Sequence, residues 1–472
     1  MGVLQAAAKR ILISHMRLGF YDAHRPDYPF KRLLADNSTW SLLDSADHRS
    51  IAREVAAAST VLLKNENGML PFKPAGGAAK SMAVIGPFAA CESTGRSPGN
   101  LTGSDGDCYL HSYYGQPSWV SSMYGGIAEA GMAAGVATVS YAQGSNKTCD
   151  KGGGAIGEVD CAVDPASKFY KPAAAALIAA AAKTAAAADI TVLCLGLGEF
   201  MEAESRDRVN MTLPSVQRAL LDAVAKVSKK LVIVVVSAGG VDVDETKADA
   251  VLWAPYGGEE AGGGLADVLF GKVNPSARLP VTVVKQSWAD AMNCPNFTET
   301  PGSPRIEHAD CNTSILHLDL EEGAGRTHRY IRDPATHVKH RFGFGLSYTT
   351  FSYKGVTVSG TAPNLTAVVE VTNTGSVDGA EVVEVFASGT VVPGLPTPIQ
   401  NLVGFAKVQL AKGATSTVRV QIDVAQLATA QADGSTRLIP GEHTLWAGGH
   451  LPNDPEGAAG TSGPTVSTTI TL

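Results

Sequence analysis

The sequence predicts an open, mostly parallel α/β sheet sandwich followed by an all-β sandwich. Three observations carry this. Continuously apolar runs alternate with amphipathic helical segments over residues 51–290, a polar stretch follows over 291–345, and from 346 to 472 the hydrophobic period becomes two. Residues 1–50 form a separate lead segment, and 472 residues are more than one hydrophobic core usually organises.

The lead segment opens with "AAAKRILISHMRLGFYD", apolar at helical spacing, which breaks at Gly19 and runs into the Pro-containing "HRPDYPF". Helix–strand alternation then begins. A helix is expected over "DHRSIAREVAAASTVLLKN" before the strand "MAVIGPFA", and another over "SMYGGIAEAGMAAG" before "VATVSYA". An Ala-rich helix around 172–187 precedes "ITVLCLG", and "SVQRALLDAVAKVS" precedes "KLVIVVVSAGG". The unit closes on "ADAVLWAPYGGEEAGGGLADVLFG", read as a strand, a closely packed Gly-rich turn and a helix. Strands apolar on both faces need helices on both sides, and ligands of such sheets lie beyond the carboxyl ends of the strands.

The segment 291–345 is rich in Pro, Cys, Asn and His and reads as a structured linker. After "HRFGFGLSYTTF" come five short alternating strands: "TAVVEVTNTG", "AEVVEVFASG", "NLVGFAKVQLAKG", "TSTVRVQID" and "GEHTLWAGG". Their turn spacing fits a sandwich of immunoglobulin or fibronectin type III kind. No catalytic grouping stands there, so it reads as a packing module.

Composition excludes several functions. A formal charge of −7 with no basic run argues against nucleic-acid binding. No stretch has the apolar length of a membrane span, and the N-terminus, with Lys9, Arg10 and His15 inside its apolar pattern, is not a signal peptide. None of the eleven histidines falls at metal-ligand spacing, and "GLGEF" lacks the third glycine of a dinucleotide fingerprint, so no metal and no cofactor is expected. Of seven cysteines, Cys149 with Cys161 and Cys294 with Cys311 bracket loops suited to local disulfides, while Cys194 lies mid-strand as a buried thiol. Asn37, Asn100, Asn146, Asn210, Asn296, Asn312 and Asn364 head N-x-S/T sequons. Cysteines and sequons together favour an extracellular or secretory setting for the parent protein, and a glycoprotein.

The candidate site is "LGLGEFMEAESRDRVNMTLPSVQ", residues 195–217, which leaves a central strand at its carboxyl end. Glu202 and Glu204 are two apart, so in an extended loop both point to one side. Asp207 and Arg208 can pair with them or fix the loop. The next helix starts with Pro214 in its first turn or Ser215 as N-cap. A carboxyl group at a cleft mouth suits general acid work when burial or a second carboxylate raises its pKa. A solvated loop of surface ion pairs is the alternative reading of the same residues.

Six ordered motifs add a resemblance: "RLGFYD", "AREVAAASTVLLKNENGMLPF", "AVIGPFA", "EAESRDRVNMTLPSVQRALL", "WAPYGGEEAGGGLADVLFGKVNPSARLPVT" and "HRFGFGLSYTTF". Together they resemble the C-terminal portion of glycoside hydrolase family 3, closest to its plant and fungal β-xylosidase and α-arabinofuranosidase branch. The resemblance implies a family 3 α/β sandwich domain at 51–290 and a fibronectin type III-like domain at 346–472. It implies retaining hydrolysis of O-glycosyl bonds in xylan-derived oligosaccharides or aryl glycosides. In that chemistry a Glu on the sandwich loop serves as acid/base and an Asp on an N-terminal (β/α)8 barrel as nucleophile, the two roughly 5–5.5 Å apart across the sugar. The E-x-E-x-x-D-R segment matches that loop, with Glu202 preferred as acid/base, Glu204 close behind, and Asp207 and Arg208 on the substrate side.

By the same resemblance, residues 1–50 are the end of the barrel domain and its linker, and the nucleophile strand lies upstream. The chain alone is therefore expected to be inactive, with the barrel as a missing partner and an exposed apolar patch near Ile11, Leu12 and Met16. The alternative is a non-catalytic carbohydrate-binding or scaffold protein derived from such an enzyme.

Overall fold

The computed structural model describes residues 2–22, 44–73, 79–90, 109–110, 119–147, 171–198, 201–202, 208, 210–292, 320–321, 323–388, 397–431, 433–452, 454, 460 and 462–471. The chain divides into two compact units, residues 1–52 and 53–472.

In the first unit, helix α1 spans Gly2–Arg17 and carries no buried residue. Ile11, Leu12 and Met16 on it are exposed. The helix closes as the Phe20 N–H reaches back to the His15 carbonyl at 2.9 Å.

Helix α2 spans Ala46–Ser59, and its residues from Arg53 onward belong to the second unit. The first body of that unit is a six-stranded sheet: β1 (Val61–Asn65), β2 (Ser81–Ile85), β3 (Thr138–Ala142), β4 (Ile190–Gly196), β5 (Leu231–Val236) and β6 (Ala250–Ala254). The spatial order is β1-β6-β5-β4-β2-β3, and every neighbouring pair is parallel except β1 with β6. The chain runs outward from β2 to β3, then returns to the other side of β2 for β4. The strand order therefore reverses at the β2/β4 boundary, where sheets of this kind bind ligands.

One element differs from expectation. The helix expected through "TVLLKN" ends at Ser59, and Val61–Asn65 is an antiparallel edge strand with Val61 opposite Trp253 and Leu62 opposite Leu252. Val61 and Leu63 enter one core while Leu62 enters the other, which only a period of two can do.

That alternation runs through the whole sheet. Val192, Cys194, Val232 and Val234 point into a core with helices α3 (Met123–Ala133) and α6 (Ala261–Leu269). Leu193, Leu195, Ile233 and Val235 point into a second core with α4 (Pro172–Ala187) and α5 (Ser215–Ala225). The glycines of "AGGGLADVLFG" serve packing: a Cβ on Gly262 would overlap the Ser122 carbonyl, and one on Gly264 would press into the backbone of α2 at Ala56 and Ala57. Arg53 on α2 fixes the same contact with a two-pronged bond to Asp267 on α6, at 2.7 and 2.8 Å.

Helix α7 (Gln286–Met292) and a small antiparallel pair, β7 (Val283–Val284) with β8 (Val338–His340), follow the sheet. Then come β9 (Phe351–Thr361), β10 (Asn364–Asn373), β11 (Gly379–Ala387), β12 (Asn401–Leu410), β13 (Thr415–Asp423), the short β14 (Ala428–Ala430) and β15 (Thr436–Leu438), β16 (Glu442–Gly448) and β17 (Val466–Thr471). Sheets β13-β10-β9 and β12-β11-β16-β17 enclose one core. Leu365, Ala367, Val369 and Val371 face Val383, Val385 and Ala387 across it. The five alternating segments are all strands. β9 and β17 were not singled out because Ser, Thr and Gly break their apolar alternation.

Cys194 is a fully buried free thiol within β4. The other six cysteines lie outside the described residues, as do Asn37, Asn100, Asn296 and Asn312. Asn364 is exposed at the first position of β10, whereas the amide oxygens of Asn146 and Asn210 accept bonds from Gln143 and Thr212. Among the described residues no helix is long and apolar enough to cross a membrane.

Candidate active site

The site forms where β4, β5 and β6 end side by side. Strand β4 finishes at Gly196, which Gln217 on the first turn of α5 holds from both sides. The Gly196 N–H donates to Gln217 Oε1 at 2.9 Å, and Gln217 Nε2 donates to the Gly196 carbonyl at 2.8 Å. The same Nε2 donates to the Lys147 carbonyl at 2.7 Å, so this fully buried amide joins the exit of β4 to the segment after β3. Helix α5 starts at Ser215, with Pro214 just outside it at the N-cap position, one residue before the place a first-turn proline would take.

After β4 the chain turns at Gly198, whose carbonyl accepts from the Met201 and Glu202 N–H groups at 2.8 and 3.1 Å. Glu202 then reaches across to the turn that leaves β5. Its Oε1 accepts from the Ala238 N–H at 2.6 Å and from Tyr256 Oη at 2.7 Å, and its Oε2 from the Gly239 N–H at 3.1 Å. Tyr256, just past β6, also lies 2.8 Å from the Leu197 carbonyl. A single carboxylate thereby ties together the ends of three strands.

Arg208 grips the same turn from the opposite polarity: its Nη2 donates to the Gly240 carbonyl at 2.7 Å. Burial pushes the Arg208 guanidinium down from its ordinary range, against the opposing influence of the Glu202 and Tyr256 charges. The turn is braced from below, where Trp253 Nε1 donates to Ser237 Oγ at 2.9 Å and Ser237 Oγ donates to the Gly239 carbonyl at 2.6 Å.

Of the four residues singled out from sequence, the structure brings Glu202 and Arg208 together on the 238–240 turn. Glu204 and Asp207 lie outside the described residues. The surface ion-pair reading does not describe Glu202, whose oxygens are held by two backbone N–H groups and a tyrosine. Gln217, Ser237, Trp253 and Tyr256 were not identified from sequence. For Gln217 a signal was present: it is the one polar member of the stripe Gln217, Leu220, Leu221, Val224 at i, i+3, i+4, i+7. Tyr256 sat inside a segment read only as a Gly-rich turn.

Comparison with known proteins fits this architecture. The profile of the glycosyl hydrolase family 3 C-terminal domain matches residues 60–348, and that of a fibronectin type III-like domain matches residues 381–450. The periplasmic beta-glucosidase of Salmonella typhimurium is 32% identical over 411 residues, covering 86% of this chain and 49% of the relative. The beta-xylosidase/alpha-L-arabinofuranosidase 1 of Medicago sativa subsp. varia is 31% identical over 473 residues, covering 92% and 51%. A solved structure of a β-glucosidase from Erythrobacter marinus superposes with a TM-score of 0.67 at 28% identity, covering 92% of this chain and 52% of that one. The chain spans about half the length of the curated relatives it matches.

Proposed function

This chain belongs to glycosyl hydrolase family 3, and from that premise we propose that it carries the acid/base half of a retaining glycosidase of β-xylosidase type, acting on xylan-derived oligosaccharides and aryl glycosides. The nucleophilic aspartate belongs in this reading to a (β/α)8 barrel, in the half of the relatives' length that the chain does not span.

One observation carries the assignment of roles. Glu202 and Arg208 clamp the same turn, Ala238–Gly240, and so fix both ends of the five-residue stretch between them, which includes Glu204 and Asp207. Glu202 has its oxygens occupied by Ala238, Gly239 and Tyr256. A group that must deliver a proton to a leaving oxygen needs a face free for substrate. Those contacts support Glu202 as the anchor and Glu204 as the proton donor, reversing the order in which sequence ranks them. Retaining hydrolysis would then run in two steps: Glu204 protonates the glycosidic oxygen as the aspartate attacks the anomeric carbon, and later takes a proton from the water that releases the sugar.

The sugar is read as a β-xyloside from the motif resemblance and the Medicago relative. The 32% identity to the Salmonella protein favours a β-glucoside as the second reading. An assay with nitrophenyl β-xyloside, β-glucoside and α-arabinofuranoside tests both points. The chain alone is expected to turn over none of them above the Glu204→Gln background. Completed by a barrel domain it is expected to prefer the β-xyloside. Turnover by the chain alone contradicts the divided active site, and preference for the glucoside overturns the xylosidase reading.

A further inference from the structure

A buried charge cluster lies far along the chain from the catalytic loop, where the α/β body meets the β-sandwich. The segments 278–279 and 343–344 of the α/β body pair with each other: the Leu279 N–H donates to the Phe344 carbonyl and the Gly343 N–H to the Leu279 carbonyl, both at 2.9 Å. From this corner Arg278 reaches into the sandwich. Its Nη2 donates to Glu381 Oε2 on β11 at 2.6 Å and to Ser462 Oγ at 2.8 Å, and its Nη1 donates to the Gly345 carbonyl. Glu381 Oε1 accepts in addition from Tyr353 Oη on β9 at 2.5 Å and from Ser462 Oγ at 2.9 Å. Both oxygens of Glu381 are thus taken up, and its side chain is fully buried.

Glu384, on the same strand, is only 4% exposed. Its Oε2 is buried without a hydrogen-bond partner among the described residues and lies against Gly343, at φ +78, where any Cβ would overlap the carboxyl group. The cluster therefore buries two carboxyl groups with one guanidinium, and that guanidinium is already bonded to the other one. A buried carboxylate with no donor of its own is among the most costly groups a core can hold, whereas the neutral acid is tolerated.

We propose that Glu384 is a protonation latch between the two bodies: as the neutral acid it sits against Gly343 and fastens the sandwich to the 341–345 segment, and on losing its proton it loosens that junction. Burial pushes the Glu384 carboxyl up to about 8, with Arg278 pulling it down and Glu381 adding to the rise. Among the described residues the corner also includes Tyr353, whose hydroxyl is held well above its ordinary range by burial and the Glu381 charge, Arg341, which faces Asp454 at 3.5 Å, and His328, stacked on Phe342 and pushed down to about 4 by burial and the Arg329 charge.

The sign follows from the proton count. The folded chain holds this proton to a higher pH than the unfolded chain, whose glutamate titrates near 4.5. The stabilisation from that proton is complete below the unfolded value and is lost progressively as pH rises toward about 8, where the folded group gives up its proton and the latch opens.

The test is the thermal midpoint of the whole chain as a function of pH, for wild type and Glu384→Gln, an isostere of the neutral acid. The two are expected to unfold together at about pH 5, with the variant gaining several degrees on wild type by about pH 9. Glu381→Gln frees Arg278 to pair with Glu384 and is expected to move the pH-dependent step toward acid. Parallel curves for wild type and Glu384→Gln overturn the proposal. Should Glu384→Gln fail to fold, infrared difference spectra of wild type between about pH 6 and 9 decide the matter. Loss of a protonated-carboxyl band that is absent from Glu384→Asp spectra supports the latch, and no such band refutes it.

Discussion

Gln217 and Gly196 hydrogen-bond to each other in both directions, so the amide of a helix side chain stands where a strand neighbour would otherwise be. Gly196 is the last residue of β4, and the chain that follows carries the candidate catalytic loop. Gln217→Leu keeps the volume but leaves the Gly196 N–H and carbonyl and the Lys147 carbonyl without this partner. Each buried orphan costs about 1–3 kcal/mol, so a loss of about 3 kcal/mol is expected in urea unfolding, with no change in the slope of the transition.

Tyr256 contacts both the Leu197 carbonyl and Glu202 Oε1, and its removal is a milder test of the same corner. Tyr256→Phe is expected to cost about 1–2 kcal/mol. Amide hydrogen exchange at Ala238 and Gly239, the two N–H groups that Glu202 accepts, is expected to quicken in this variant. Unchanged exchange at both positions would show that Glu202 holds the turn without Tyr256.

The central strands β4 to β6 were legible because each is buried and almost wholly apolar on both faces, and the five alternating segments of the sandwich because each is apolar on one. What sequence did not separate was Val61–Asn65 from the helix before it. The run Val61–Leu63, apolar enough for either element, becomes a strand because Trp253 and Leu252 pair with it across the sheet. The candidate site was proposed from a cluster of acids at a strand exit. Its construction did not, because it depends on backbone donors at Ala238 and Gly239 that every sequence possesses. A carboxylate that seeks main chain leaves no complementary side chain to find.

The α2–α6 contact contributes stability that is expected to fall away in acid. Burial alone would raise the Asp267 carboxyl, but the bonds and charge of Arg53, with Lys272, hold it below the usual range. A depressed folded value stabilises the chain above the ordinary carboxylate pKa and is lost as pH falls through it. Arg53→Ala is expected to cost about 2 kcal/mol near neutral pH, for a pair that is only partly buried. The difference from wild type should shrink below about pH 4 in pH-dependent urea unfolding. A difference that persists undiminished into acid would assign the effect to lost packing by the arginine stem.

The division of labour between the two glutamates is decided by leaving-group kinetics in a protein long enough to hold both catalytic carboxylates. Glu204→Gln is expected to lose about 10²–10⁴-fold on an alkyl or oligosaccharide xyloside. It should lose far less on a nitrophenyl xyloside, whose departure needs no proton, and azide should restore turnover with formation of the β-xylosyl azide. Glu202→Gln is expected to lose a similar factor on both substrates, with no rescue by azide. The reverse pattern, azide rescue and leaving-group sensitivity for Glu202→Gln but not for Glu204→Gln, would contradict the assignment of anchor and proton donor.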